Sequence, residues 1–174
     1  MNDRRLVLLV SHTARTEALS ATIECIEALL AAGITPVMDP LERAATLEYA
    51  KSEGSADSAK QILELGKDVS ELDLELAVVL GGDGTILKAA ELVRESQTPL
   101  LGINLGHVGF LAESEKNQIS STIARVVEKD YLVKERLTLE VSVKLEGKEV
   151  YRTWALNEAT VEKSARERML EVVV

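Results

Sequence analysis

The sequence predicts an α/β domain built on a parallel sheet, followed by the opening strands of an antiparallel β region. Three observations predict it. Short unbroken apolar runs, Leu6 to Val10 and Leu76-Ala77-Val78-Val79-Leu80, have the length and composition of strands buried on both faces. Segments with apolar residues at helical spacing separate such runs, and a helical crossover favours parallel pairing. Near Val133 the period changes to two, which marks strands with one buried and one wet face. The chain therefore divides into an α/β domain over 1–132 and the start of a second, β-rich domain over 133–174.

The elements follow in order. After the strand Leu6 to Val10, a helix places Leu19, Ile23, Ile26 and Leu30 on one face, and Gly33 stands where a C-terminal cap belongs. Ile34 to Met38 is the next strand. Residues 39–73 read as a solvated surface excursion without chemistry. It carries a helix over Leu41 to Lys51 and a loop over Ser52 to Ser58. The strand Leu76 to Leu80 then runs into Gly81-Gly82-Asp83-Gly84-Thr85, and a helix follows with Ile86, Leu87, Ala90 and Val93 at helical spacing. Pro99 opens the strand Leu100 to Ile103, and Asn104 to Ser114 is a glycine-bearing loop. Ser114 is placed to cap a helix whose buried face is Ile119, Ile123 and Val126. Leu137, Leu139, Val141, Val143 and Leu145 alternate with polar residues, Gly147 turns the chain, and Glu149 to Leu156 returns. Met169 to Val174 reads as a strand in need of a partner, so the chain is expected to be a fragment with little activity alone.

Composition narrows the function classes. The chain has 174 residues, 46% of them apolar, enough for a core, but only 3% aromatic, so Leu, Val, Ile and Ala must build it. A net charge of −9 argues against non-specific nucleic-acid binding, because no basic stripe offsets phosphate repulsion. No segment has the length and apolarity of a membrane span, and no signal-peptide pattern follows the arginines near the start. Cys25 is the single cysteine, so an internal disulfide is impossible and a cytoplasmic location is expected.

The glycine loop carries the strongest chemical signal. A buried strand, a glycine-rich turn and a helix start form an anion site, since free N–H groups and the helix dipole point to the same place. The spacing matches neither G-x-x-x-x-G-K-[ST] nor G-x-G-x-x-G. Asp83 is the unusual member. A carboxylate in an anion site repels phosphate unless it holds a magnesium ion or accepts a proton from a hydroxyl nucleophile. Lys88, about one helical turn further on, either faces the same site and offsets phosphate charge or lies exposed on its helix. Asn157 and Glu158 have the donor and acceptor groups for vicinal hydroxyls, or form a turn pair after a strand. His12 and His107 lack ligand partners at metal spacing, and Cys25 is read as packing.

Gly81-Gly82-Asp83-Gly84-Thr85 resembles the signature shared by NAD kinases, diacylglycerol and sphingosine kinases and, more distantly, 6-phosphofructokinases. Gly102-Ile103-Asn104-Leu105-Gly106-His107-Val108-Gly109-Phe110-Leu111 and Leu156-Asn157-Glu158 narrow the resemblance to the NAD kinase family, and the chain resembles its bacterial, actinobacterial-like members. The resemblance spans nearly the whole chain and is weakest over 39–73. It implies a nucleotide-kinase domain that transfers a phosphoryl group from ATP or polyphosphate to the 2′-hydroxyl of NAD, with a divalent ion, magnesium, on the donor phosphates. It implies Asp83 as the base, and Gly84, Lys88, Asn157, Glu158 and Arg168 as further NAD contacts. Phe110 would pack on the adenine or anchor the loop, and Arg166 lies close to Arg168. It also implies a longer, homo-oligomeric protein with a β-rich second domain. The competing readings are a lipid kinase sharing the glycine motif and an inactive nucleotide-binding fragment.

Overall fold

The computed structural model describes residues 4–105, 114–115 and 119–160. It separates into two compact units, Met1–Val133 and Lys134–Val174.

The first unit is organised by β1 (Leu6–Ser11), whose six residues are all buried. Alternate residues of a strand face opposite sides, so a fully apolar strand needs cover on both. Val7 and Leu9 join one apolar cluster, and Leu6, Leu8 and Val10 join another. Helix α1 (Thr16–Ala31) covers the first side with Ile23, Cys25, Ile26 and Leu29. Burial pushes the Cys25 thiol up to about 12, which leaves it a packing group. Strand β2 (Thr35–Met38) pairs parallel with β1. Helix α2 (Pro40–Glu53) begins with the Asp39 side chain accepting from the Leu41 N–H at 3.0 Å and stops at Gly54, whose φ of 81° suits a residue without a Cβ.

The stretch 39–73 is not the solvated excursion that its composition suggests. A short helix α3 (Ala56–Ala59) and the edge strand β3 (Leu63–Glu64) follow α2, and Ala50, Ala59 and Ile62 are core residues. Here mixed polarity conceals packing, because a helix beside a sheet edge buries only a narrow stripe.

A short 3₁₀ turn at Glu71–Asp73 leads into β4 (Leu76–Leu80), which is wholly buried and pairs parallel with β1. Helix α4 (Asp83–Leu92) covers the second side of the sheet with Ile86 and Ala89, joined by Val93 just beyond its end. Leu87, expected on the buried face, is 39% exposed, and Ala89 takes that place. Strands β5 (Leu100–Asn104) and β6 (Ser114–Glu115) complete a six-stranded sheet in the order β3-β2-β1-β4-β5-β6, parallel throughout. Ser114, expected as a helix cap, therefore belongs to a strand. Helix α5 (Ile119–Glu128) packs beside α1 and buries Ile119, Ile123 and Val126, as its periodicity predicts.

The second unit contains an antiparallel hairpin, β7 (Leu139–Leu145) and β8 (Lys148–Ala155). Glu146 and Gly147, with φ of 49° and 78°, form a two-residue connection of the kind that matches strand twist. The alternation implied one buried face. Instead Leu139, Val143 and Leu145 are exposed, because among the described residues this unit holds only two strands and no second layer covers them. Phe110, His107, Arg166, Arg168 and the run 169–174 lie outside the described residues.

One polar contact fastens the first unit from the inside. The Arg5 guanidinium donates to both oxygens of Glu75 at 2.7 and 2.6 Å and to the carbonyls of Val127 and Val126 at 2.6 and 2.8 Å. It thereby ties β1 to the segment before β4 and satisfies carbonyls at the end of α5. The Arg5 hydrogen bonds hold the Glu75 carboxyl below its ordinary value of 4.5. A depressed carboxyl stabilises the fold above its unfolded pKa, and that contribution is lost as pH falls through the folded value. Arg5→Met is expected to cost about 2 kcal/mol, between the values typical of exposed and buried pairs. In urea unfolding across pH 3 to 7, about the span of carboxyl titration, it should flatten the loss of stability on the acid side. An unchanged acid limb would show that Glu75 is not held by Arg5.

Candidate active site

In the strand order, β1 and β4 are neighbours whose following helices, α1 and α4, lie on opposite faces of the sheet. The connections diverge at this point and leave a crevice at the carboxyl ends of the two strands. A cleft of about 650 Å³ lies there. Ser11 ends β1, and His12, Thr13, Ala14 and Arg15 lead from it into α1. Gly81, Gly82, Gly84 and Thr85 come from the glycine loop, Lys88 from α4, Glu42 from the first turn of α2, and Asn104 and Leu105 from the end of β5.

The glycines have different reasons to be glycine. A Cβ on Gly81 would sit 2.5 Å from Thr85 Oγ1 and 2.9 Å from Thr85 Cβ, so the return of the chain into α4 excludes a side chain there. Among the described residues, no atom lies within 4 Å of a Cβ built on Gly82 or Gly84, and neither adopts a positive φ. Neither backbone geometry nor packing against the described residues requires glycine at these two positions. Their bare backbone faces the cleft. The N-cap residues of the helices entering the cleft give no side-chain cap: Arg15 precedes α1 and makes no such bond, and Gly82, which precedes α4, has no side chain. Two first turns thus bring positive dipole ends to one space.

Asp83 is the first residue of α4 and is half-buried, where the dipole favours a carboxylate. Its glycine neighbours line the cleft, but Asp83 itself is not among the lining residues. Lys88 does line it, together with Gly84. Asn157 and Glu158 are exposed, with Asn157 in the bend that follows β8. His12, set aside as a ligand, also lines the cleft. Among the described residues, no group of three or more His, Cys, Asp or Glu could hold a metal ion.

Glu42 is the functional candidate that the sequence did not reveal. It is 3% exposed. One carboxylate oxygen accepts from the Ser11 N–H at 2.9 Å, and the other accepts from Lys88 Nζ at 2.5 Å. Burial raises its pKa, and this outweighs the hydrogen bonds from Lys88 and Ser11, which act the other way. An acidic residue in a first helical turn is so ordinary that its sequence position carries no signal. The companion signal was the strand–loop–helix at Ser11 to Arg15, which repeats the architecture of the glycine loop.

A doubly wound parallel sheet with a glycine-lined cleft at the reversal of its strand order belongs to the class of α/β domains that bind ligands at that crevice. Within that class the chain is specific: residues 7–131 match the model of the ATP-NAD kinase N-terminal domain, and the chain belongs to the NAD kinase family. It is 50% identical over 174 residues to an NAD kinase of Leifsonia xyli, covering all of this chain and 55% of that protein. It is 47% identical to an NAD kinase of Thermobifida fusca, covering 98% and 52%. The chain thus spans about half the length of these relatives. A crystal structure of yeast NADH kinase complexed with NADH superposes with a TM-score of 0.68 at 23% identity, over 90% of this chain and 48% of that one, a likeness of fold.

The raised pKa of Glu42 has a definite consequence. An acid whose folded pKa is raised adds stability below its unfolded pKa, and that contribution is lost as pH rises through the folded value. Glu42→Gln keeps the volume and an acceptor for the Ser11 N–H. It is expected to melt no lower than the parent at pH 7, with the two melting temperatures converging toward pH 4, near the unfolded carboxyl value of about 4.3. A variant that melts well below the parent at neutral pH would mean that the ion pair outweighs desolvation.

Proposed function

We propose that the full-length protein is an NAD kinase, which transfers the terminal phosphoryl group of ATP to the 2′-hydroxyl of the adenosine ribose of NAD and yields NADP. The observation that carries this reading is the pair Gly82 and Gly84. Their backbone lines the cleft, and no described residue requires glycine there, so the missing side chains make room for a ligand that approaches the main chain. Two helix starts and Lys88 at the same cleft suit phosphate oxygens. Membership of the NAD kinase family favours this reaction over that of the lipid kinases that share the glycine motif.

The chemistry asks little covalent work of the protein. Phosphoryl transfer depends on alignment and on charge stabilisation. Asp83 is assigned as the base that accepts the proton of the attacking ribose hydroxyl, and Gly84 lets the nucleotide approach. Lys88 offsets phosphate charge. Asn157 and Glu158 are assigned to ribose hydroxyls through their amide and carboxylate groups, and Arg168 to a further nucleotide contact. Magnesium is assigned to the donor phosphates, whose charge it would neutralise. Polyphosphate is the alternative donor, and a homo-oligomer is the assembly in which we expect the full-length protein to work.

Two variants test the reading in the full-length protein. Asp83→Asn keeps shape and an acceptor oxygen but cannot take a proton at neutral pH. It is expected to bind NAD normally and to lose about a hundredfold to ten-thousandfold in kcat with little rise in KM. Retention of more than about a third of the parent kcat, far above that range, would remove Asp83 from the chemistry. Gly84→Ala is expected to fold with an unchanged melting temperature and to weaken nucleotide binding, because Gly84 lines the cleft and its Cβ would touch no atom of the described residues. Unchanged affinity in calorimetric titration with both NAD and ATP would move the ligand away from the glycine loop.

A further inference from the structure

The buried carboxylate of Glu42 is an obstacle to the proposed function unless it has a task. It is a negative charge in a cleft assigned to phosphates, and burial works against its ionised form. Its two contacts define the task. One oxygen is tied to the backbone N–H of Ser11, the last residue of β1, and is therefore fixed to the central sheet. The other accepts from Lys88 Nζ, and the Glu42 side chain is 4% exposed while that of Lys88 is 47% exposed. Glu42 belongs to the helix after β2 and Lys88 to the helix after β4, so the pair spans the crevice where the strand order reverses. A lysine on a flexible four-carbon stem would otherwise extend into water. Its ammonium has three donors, of which Glu42 takes one.

We infer that Glu42 is a positioning residue that draws Lys88 Nζ across the cleft and holds it as a preset cation for the phosphate oxygens of the bound nucleotide. The inference rests on the proposed function, which fills the cleft with a phosphate-bearing nucleotide. Two ammonium donors remain for the ligand while the third is anchored to the sheet through Glu42 and Ser11. The side-chain entropy of Lys88 is surrendered on folding, and nucleotide binding then meets an ordered cation. The charge of Glu42 is neutralised by Lys88, so the ligand encounters a directed donor and not a bare carboxylate.

The test uses the full-length protein in four forms: parent, Lys88→Ala, Glu42→Gln and the double variant. Calorimetric titration gives the dissociation constants of NAD and ATP, and thermal unfolding checks the fold. The acetylation rate of Lys88, read by mass spectrometry, reports its freedom directly. Glu42→Gln is expected to weaken the nucleotide that Lys88→Ala weakens, by roughly tenfold, and to change affinity less than about twofold when Lys88 is already absent. Lys88 should acetylate faster in Glu42→Gln than in the parent. Should Glu42→Gln not fold, Glu42→Asp makes the same comparison, since its carboxylate is retracted by one methylene and cannot span Ser11 and Lys88. An equal loss of affinity with and without Lys88, or no loss and an unchanged acetylation rate, would overturn the inference and leave Glu42 as an anchor of the strand end. If Lys88→Ala itself leaves both affinities unchanged, the phosphate-binding role of this cleft fails, which is a different result from a failure of Glu42 alone.

Discussion

The parallel pairing of β1 with β4, in register from Val7 opposite Leu76 to Ser11 opposite Leu80, is the constraint on which the rest of the first unit depends. Both strands are apolar on both faces, so both faces must be covered. The helix after β1 covers one face and the helix after β4 covers the other. The strands stay paired to their carboxyl ends, and the connections that leave them there diverge to opposite sides of the sheet. The cleft is therefore a consequence of the hydrophobic core, and its lining residues are those that leave the strands at that edge.

Polar interactions then shape what the core leaves open. At the amino-terminal edge of β1, Arg5 joins Glu75 and the last carbonyls of α5, and its effect is structural. At the opposite edge, Ser11 gives its N–H to Glu42, and Glu42 takes Lys88. The two ion pairs differ in electrostatic character. Glu75 has its pKa lowered, so its ionised form is favoured by its surroundings, whereas Glu42 has its pKa raised by burial even beside a lysine. The two edges of β1 thus carry ion pairs of opposite character, one that favours its carboxylate and one in which burial opposes it.

The hairpin of the second unit shows how far periodicity carries. Its alternation correctly indicated strands and a tight turn at Gly147, yet Leu139, Val143 and Leu145 are exposed. Alternation specifies which residues share a face. Burial of that face requires a second layer, and a two-stranded sheet does not contain one.

The sequence by itself determined the local elements and the family. The runs Leu6 to Val10 and Leu76 to Leu80, the face Ile119, Ile123 and Val126, and the loop Gly81 to Thr85 were legible because strand burial, helical period and glycine turns are properties of adjacent residues. Tertiary structure decided the order of the strands and the membership of the cleft. It brought Glu42 from α2, His12 and Arg15 from the β1–α1 connection and Lys88 from α4 to one space. It also placed Ser114 in a strand and folded the polar-looking stretch 39–73 into the core, because cover from distant segments cannot be read from nearest neighbours. Glu42 is the clearest case. In sequence it is an ordinary acidic residue at a helix start, and it becomes a buried carboxylate only because the carboxyl end of β1 and a lysine 46 residues away meet it there.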